Sequence, residues 1–218
     1  MSQPNSPRVI RGGLVLLDPV TNAVRRVIPL QYNPDTLTRS FQVRGAGGEA
    51  GARAEVLRLT GPPVQSISLD AEFDATDQLE FPEQNRVAVQ VGLRAQLAML
   101  ETMVYPSHQA VRRASELAGQ GRLEIAPMPA PLTLFIWSKH HVTPVRITEL
   151  TITEESFDTR LNPIRAKVHL GLRVSTVNDV GATSRAGGLA MTHHQRLEQL
   201  AVRPAPAGLA TLGIGALP

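Results

Sequence analysis

Cysteine is absent from the 218-residue chain, which removes disulfides, thiolate nucleophiles and cysteine-ligated metals from consideration. Aromatic residues are scarce. Phe, Trp and Tyr make up 4% of the chain, which leaves few platforms on which single-stranded bases could stack. Lysine occurs only at Lys139 and Lys167, so arginine carries nearly all the positive charge. Arginine suits bidentate carboxylate pairing at protein interfaces, although a genomic composition bias would give the same count. The balance of 22 basic to 19 acidic residues gives a net charge of +3, too slight a surplus to imply nucleic acid. No apolar run reaches the roughly 18 residues of a membrane helix. The N-terminal MSQPNSPRV lacks an apolar h-region, so a Sec signal is not expected and folding in the cytosol is.

What is present is mostly strand pattern. LVLL (14–17) and VRRVIPL (24–30) flank an Asp18-Pro19-Val20-Thr21-Asn22 connection suited to a hairpin. In VIPLQYNPDTLTRSFQV (27–43) the run breaks at Asn33-Pro34. Pro34 cannot donate to a ladder and biases Asn33 away from helix, so the pair marks a corner. The expectation is that this corner bends the first hairpin toward a contact while Phe41 returns to the core; an ordinary surface turn is the alternative. RGAGGEAGARAE (44–55) reads as a loop. VQSISLDAEFD (64–74) alternates strictly, with Ile67, Leu69, Ala71 and Phe73 on one face and Asp70, Glu72 and Asp74 on the other.

The period changes to that of a helix between about 87 and 104, where Leu93, Leu97, Leu100 and Val104 form one stripe. Tyr105-Pro106 ends it, and a weaker helix covers 108–118. LTLFIW (132–137) is apolar on both faces and should be central or covered on both sides. In VRITELTI (145–152) the apolar parity changes between Ile147 and Leu150, which predicts a bulge near Thr148–Glu149. IRAKVHLGLRV (164–174) places Arg165, Lys167, His169 and Arg173 on one face and six apolar or small residues on the other. From Gly181 the composition shifts to Gly, Ala and Pro with one short helix near 191–202. The chain therefore divides into a mainly β domain over 1–180 and an extension over 181–218. Strands on both sides of one principal helix imply an antiparallel barrel or sandwich with a flanking helix.

Chemistry-bearing motifs are few. The doublets His140-His141 and His193-His194 cannot chelate as neighbours, because adjacent side chains diverge on a strand or a helix. No HExxH, GxSxG, P-loop or GxGxxG occurs. Asp70, Glu72 and Asp74 recur at about 6.6–7 Å, a separation that overlaps an inverting glycosidase pair. A substrate must be flanked from opposite sides, however, and one open strand face cannot do that. No catalytic residue, cofactor or metal is assigned. Two complementary faces remain, acidic on 64–74 and basic on 164–174. As neighbours in one subunit they would pair locally; on opposite edges they could join copies head-to-tail into a ring.

Three stretches resemble the contractile injection system tube-protein family. These are phage-tail-like tube and baseplate adaptors, or tube initiators. The stretches are IPLQYNPDTLTRSF (28–41), GPPVQSISLDAEFDATD (61–77) and PVRITELTITEESFDTRLNPIRAKVHLGLRVS (144–175). The resemblance implies a tail-tube-like β-barrel that assembles as a hexameric ring and joins the inner tube to spike and baseplate wedge proteins. It implies no enzymatic reaction, no nucleic-acid partner and no direct membrane insertion. It further implies assembly in the cytoplasm as part of a particle that is released or membrane-associated. Family members commonly carry a C-terminal LysM module, whose GD(S/T)L…IA and N…I elements do not occur in this tail. The extension is expected to substitute by docking in extended form on a neighbour. Asp70, Glu72 and Asp74 against Arg165, Lys167 and Arg173 are the candidate subunit interface. The alternatives are an inner tube subunit of the same machine and a small β-barrel that binds an anionic polymer.

Overall fold

The computed structural model describes residues 9–18, 21–45, 59–119, 131–181, 183–203, 208–212 and 214. Most of the Gly/Ala loop (46–55) and much of the C-terminal tail therefore lie outside the described residues. Seven strands form one antiparallel sheet: β1 Gly13–Leu17, β2 Val24–Pro29, β3 Leu37–Gln42, β4 Val64–Asp74, β5 Leu132–Ser138, β6 His141–Phe157 and β7 Pro163–Val174. Their order is β2-β1-β5-β6-β7-β4-β3. The fold is mainly β with flanking helices, as the sequence pattern implies.

Alternation sets the core. Along β4, Ile67, Leu69, Ala71 and Phe73 are buried, and across the ladder they face Leu172, Leu170, Val168 and Ala166 of β7. Leu14 and Leu16 of β1, Ile28 of β2 and Phe135 of β5 extend the same apolar layer. Thr133, Leu134 and Phe135 are buried in succession, which agrees with the reading of 132–137 as covered on both faces. The parity change in β6 is a bulge: Ile147 pairs with Leu172, Glu149 with Gly171, and Thr148 is the extra residue. Gly171 makes room for it, since a Cβ there would lie 2.9 Å from Cβ of Glu149.

The helical region departs from a single 87–104 helix. It comprises α1 Thr76–Leu79, α2 Arg86–Val91, α3 Arg94–Val104 and α4 His108–Gly119. The break falls at Gly92, which has φ +56°. There the backbone turns so closely against the β6–β7 connection that a Cβ would stand 2.3 Å from the Pro163 carbonyl oxygen. The Leu93 N–H then donates to that same carbonyl at 2.9 Å. Leu93, Leu97 and Leu100 enter the core as expected, whereas Val89 and Val104 stay exposed. Two helices follow β7, α5 Val177–Val180 and α6 Arg185–Ala201. α6 is longer than the sequence pattern indicates and packs on β6, burying Ala186, Gly187 and His193. Among the described residues no helix is long and apolar enough to cross a membrane.

The segment after β2 corrects one expectation. β2 and β3 are not partners of one hairpin; they occupy opposite edges of the sheet. Phe41 does not return to the core but is 51% exposed on that far edge. In a flat sheet seven strands would separate these edges by about 29 Å. Residues 30–36 include a bend, and even fully extended they would span only about that distance. The sheet must therefore curl, and the contacts of residues 31–33 show how it is held.

Candidate interaction surfaces

The corner is a strap between the two wings of the curled sheet. The Gln31 side chain exchanges two hydrogen bonds with the Asp74 backbone at the end of β4: its Nε2 donates to the carbonyl at 2.6 Å, and its Oε1 accepts from the N–H at 2.9 Å. Two residues later, Asn33 Oδ1 accepts from the Gly12 N–H at 3.0 Å and Nδ2 donates to the Ile10 carbonyl at 2.8 Å, both just ahead of β1. Pro34 is half-buried immediately after. The Asn-Pro pair thus fixes one end of a tie that reaches from β1 to β4. Curling stops short of closure: among the described residues, β2 and β3 each pair along one side only.

These open edges differ. β2 reads VRRVIP, with Val24 and Val27 exposed, two arginines and a terminal proline. Its pairing with β1 is interrupted by a register shift at Leu16/Leu17. β3 reads LTRSFQ; it has no proline and its register with β4 is unbroken. Proline, charge and bulges blunt an edge against pairing. β2 carries all three, and β3 carries only Arg39.

The charged strand faces are neighbours within one subunit. β4 and β7 lie side by side in the register Asp70↔His169, Glu72↔Lys167 and Asp74↔Arg165. Arg165 binds Asp74 at 2.8 Å, with Nε donating to the same oxygen at 3.0 Å. Lys167 reaches Glu155 of β6 at 3.1 Å, and His169 Nδ1 lies 2.6 Å from Asp70. Hydrogen bonds from the Thr76 hydroxyl and N–H, followed by the Arg165 guanidinium, hold the Asp74 carboxyl below the ordinary range. Glu72, Asp74, Arg165 and Lys167 meet around an open depression of about 400 Å³ beside Tyr32 and Glu155. Arg173 is not with them; it sits at the other end of β7, bound to Asp179 at 3.1 Å. The opposite-edge arrangement of acidic and basic strands is therefore not the one adopted. These charges neutralise one another in register, which is the local-pairing alternative.

The histidine doublets contribute one member each to a site that the sequence does not reveal. His141 of β6 and His193 of α6 bring their ring centroids within 5.7 Å, with Phe135 edge-on to His141. His141 Nε2, Thr143 Oγ1 and His193 Nδ1 are buried without a hydrogen-bond partner. Burial, followed by the nearby charge of His141 and Arg39, pushes His193 down to about 4, and burial lowers His141 as well. Among the described residues no three His, Cys, Asp or Glu side chains are grouped to hold a metal ion. Adjacency within each doublet masks this pair. The i, i+4, i+7 spacing of Ala186, Ala190 and His193 would place His193 on the packed side of a helix, but it gives no hint of which strand lies opposite.

The described residues form a curled antiparallel sheet with two unlike outer edges, unclosed among those residues, and an outward face of paired charges. No protein-family model matches the chain, and no curated protein matches it. Among solved structures it is similar to a chain from the tail of an empty gene transfer agent particle determined by helical refinement with C6 symmetry. That likeness has 13% identity and a TM-score of 0.29, covering 75% of this chain and 90% of that one. A second is a chain from the virion of a native gene transfer agent particle, at 12% identity and a TM-score of 0.28 with the same coverage.

Proposed function

We propose that the chain is a structural subunit of a contractile, phage-tail-like injection particle, acting as the adaptor that joins the inner tube to spike and baseplate. The observation that carries this reading is the pair of unlike edges on one curled sheet, each without a second strand partner among the described residues. Head-to-tail pairing of copies requires two unlike edges, which β2 and β3 are. The proline, charges and register shift of β2 work against β2-to-β2 pairing, so β3-to-β3 pairing is the competing outcome. Main-chain hydrogen bonds across such a seam need no catalytic group. The resemblance of 28–41, 61–77 and 144–175 to tube-type proteins supports the particle class and a ring of six. Support for an adaptor rather than a plain tube subunit comes from α6. Beyond its docked first half, Leu197 and Leu200 are exposed on a helix that extends past the sheet contact, which gives the ring a further surface for a different partner.

The test uses the absence of cysteine. Two separately tagged chains, Arg25→Cys in β2 and Ser40→Cys in β3, are mixed with tube and spike proteins from the same particle and oxidised. A disulfide joining the two tags, together with a native mass of six chains, is the expected result. Exclusive like-with-like disulfides, or a particle assembled without this chain, would refute the seam.

A further inference from the structure

On the outward face of the sheet, the cations of β7 stand beside carboxylates at every rung but one. Arg165 lies in register between Asp74 and Glu155, Lys167 between Glu72 and Thr153, and His169 between Asp70 and Thr151. Arg173 lies between Ser66 and Arg146. Two guanidinium groups directly opposed on an antiparallel pair repel each other. Asp179 of α5 binds Arg173 through one oxygen; its other oxygen accepts from the Thr176 N–H and hydroxyl at 2.9 and 2.8 Å. Burial pushes the Asp179 carboxyl upward, but the Thr176 hydrogen bonds and the charges of Arg173 and Arg44 outweigh it and leave it below its ordinary value. Arg44 thus brings a third positive charge to this end of the sheet, and Arg146 has no partner among the described residues. Arg146, Arg173, Ser175 and Asp179 line an open depression of about 220 Å³.

We propose that this depression is a receptor for a carboxylate side chain of a partner protein. Two arginines present bidentate donors that match a planar carboxylate, and the Ser175 hydroxyl offers a further donor. The planar two-oxygen fork of a carboxylate matches the paired guanidinium groups, and phosphate is the competing oxyanion that the measurement below separates from it. Filling the site restores at the Arg173 rung the alternation of charge that the other rungs already have. The adaptor role supplies only the expectation that the carboxylate belongs to a protein; the cleft itself is complete in one chain.

Binding is measured on the full chain at low salt by titration calorimetry, with a blocked hexaglutamate peptide as probe. Blocked hexaglutamine and inorganic phosphate are titrated in parallel. Hexaglutamate should bind, hexaglutamine should not, and Arg146→Gln should weaken hexaglutamate roughly tenfold or more. Arg94→Gln, on the exposed start of α3, should leave it unchanged. Three results would each overturn the proposal: no binding of hexaglutamate by the wild-type chain, unchanged affinity in Arg146→Gln, or phosphate binding as tightly as the peptide. The outcome is independent of the edge-to-edge disulfide, so either idea can fail alone.

Discussion

Asn33 shows how much one side chain can do where backbone cannot reach backbone. It pairs both its acceptor and its donor with the main chain ahead of β1, while Gln31 does the same for the end of β4. Strands β1 and β4 are not ladder neighbours, so these four hydrogen bonds supply the closure that strand pairing leaves open. Removing one partner of a buried or half-buried bond costs about 1–3 kcal/mol, because the other group is left unsatisfied. Asn33→Ala loses one half-buried and one exposed bond, so it should lower stability by about 1 kcal/mol, the low end of that range, in urea melts. Asn33→Asp keeps the acceptor for Gly12 and loses only the donor to Ile10, so it should cost less. Equal losses, or none, would mean that the strap is not what holds the wings together. Asn-Pro is readable in the sequence as a corner, but what it ties together is not, because both partners are backbone atoms about 20 residues away along the chain.

Helix α6 depends on a contact that acid should loosen. His193 is 8% exposed and faces His141 of β6, with Arg39 of β3 and its own neighbours His194 and Arg196 adding positive charge. Glu198 lies 3.8 Å from His194 rather than beside the buried ring. In the folded chain His193 takes a proton only near pH 4, against the ordinary value of 6.5. Between those limits the unfolded state binds more protons than the folded one, so stability is full above pH 6.5 and falls as pH drops toward 4. The loss should be of the order of 2 kcal/mol, a Tm decrease of roughly 4–8 °C for a chain of this size. Amide exchange over 185–201 should accelerate in the same window, and His193→Phe should flatten both responses. The aspartates with depressed values, Asp74, Asp158 and Asp179, begin to lose their contribution only from about pH 5 downward, so the fall between about 6.5 and 5 and its absence in His193→Phe identify the histidine. At this scale much of the fold is legible. Strict alternation locates β4 and β7 almost to the residue, and the parity change in β6 locates its bulge. The α2–α3 break is not legible, because Gly92 looks like a tolerated helix residue until Pro163 is known to press against it. The placement of β3 is hidden for a related reason: consecutive strands usually pair, and only the curl of the sheet lets a short connection reach the far edge.

For the whole molecule, the question is what joins one copy to the next. Complementary charge on 64–74 and 164–174 suggests an ionic seam, and that surface is real, but it is already satisfied inside the subunit. Exposed pairs of this kind contribute about 0.2–1 kcal/mol each, and a neighbour would have to displace a partner already in register. Among the described residues, the outer main-chain groups of β2 and β3 face no such competitor. The two mechanisms respond oppositely to ionic strength. Raising salt from about 0.05 to about 0.5 M shortens the Debye length to a few ångströms, and an ionic ring would dissociate, whereas a ring sealed by main-chain hydrogen bonds and side chains such as Phe41 should keep its mass. Lys167→Glu, which opposes Glu72 and Glu155 in the same chain, should lower the thermal transition modestly without changing the number of copies. A charge placed on the β3 edge is the sharper probe. Phe41→Lys puts charge on the one unguarded strand, where it costs the isolated fold little because that side chain is half in solvent, and it should abolish the high-mass species at every salt concentration. A ring that survives Phe41→Lys yet falls apart in salt would return the seam to the charged faces.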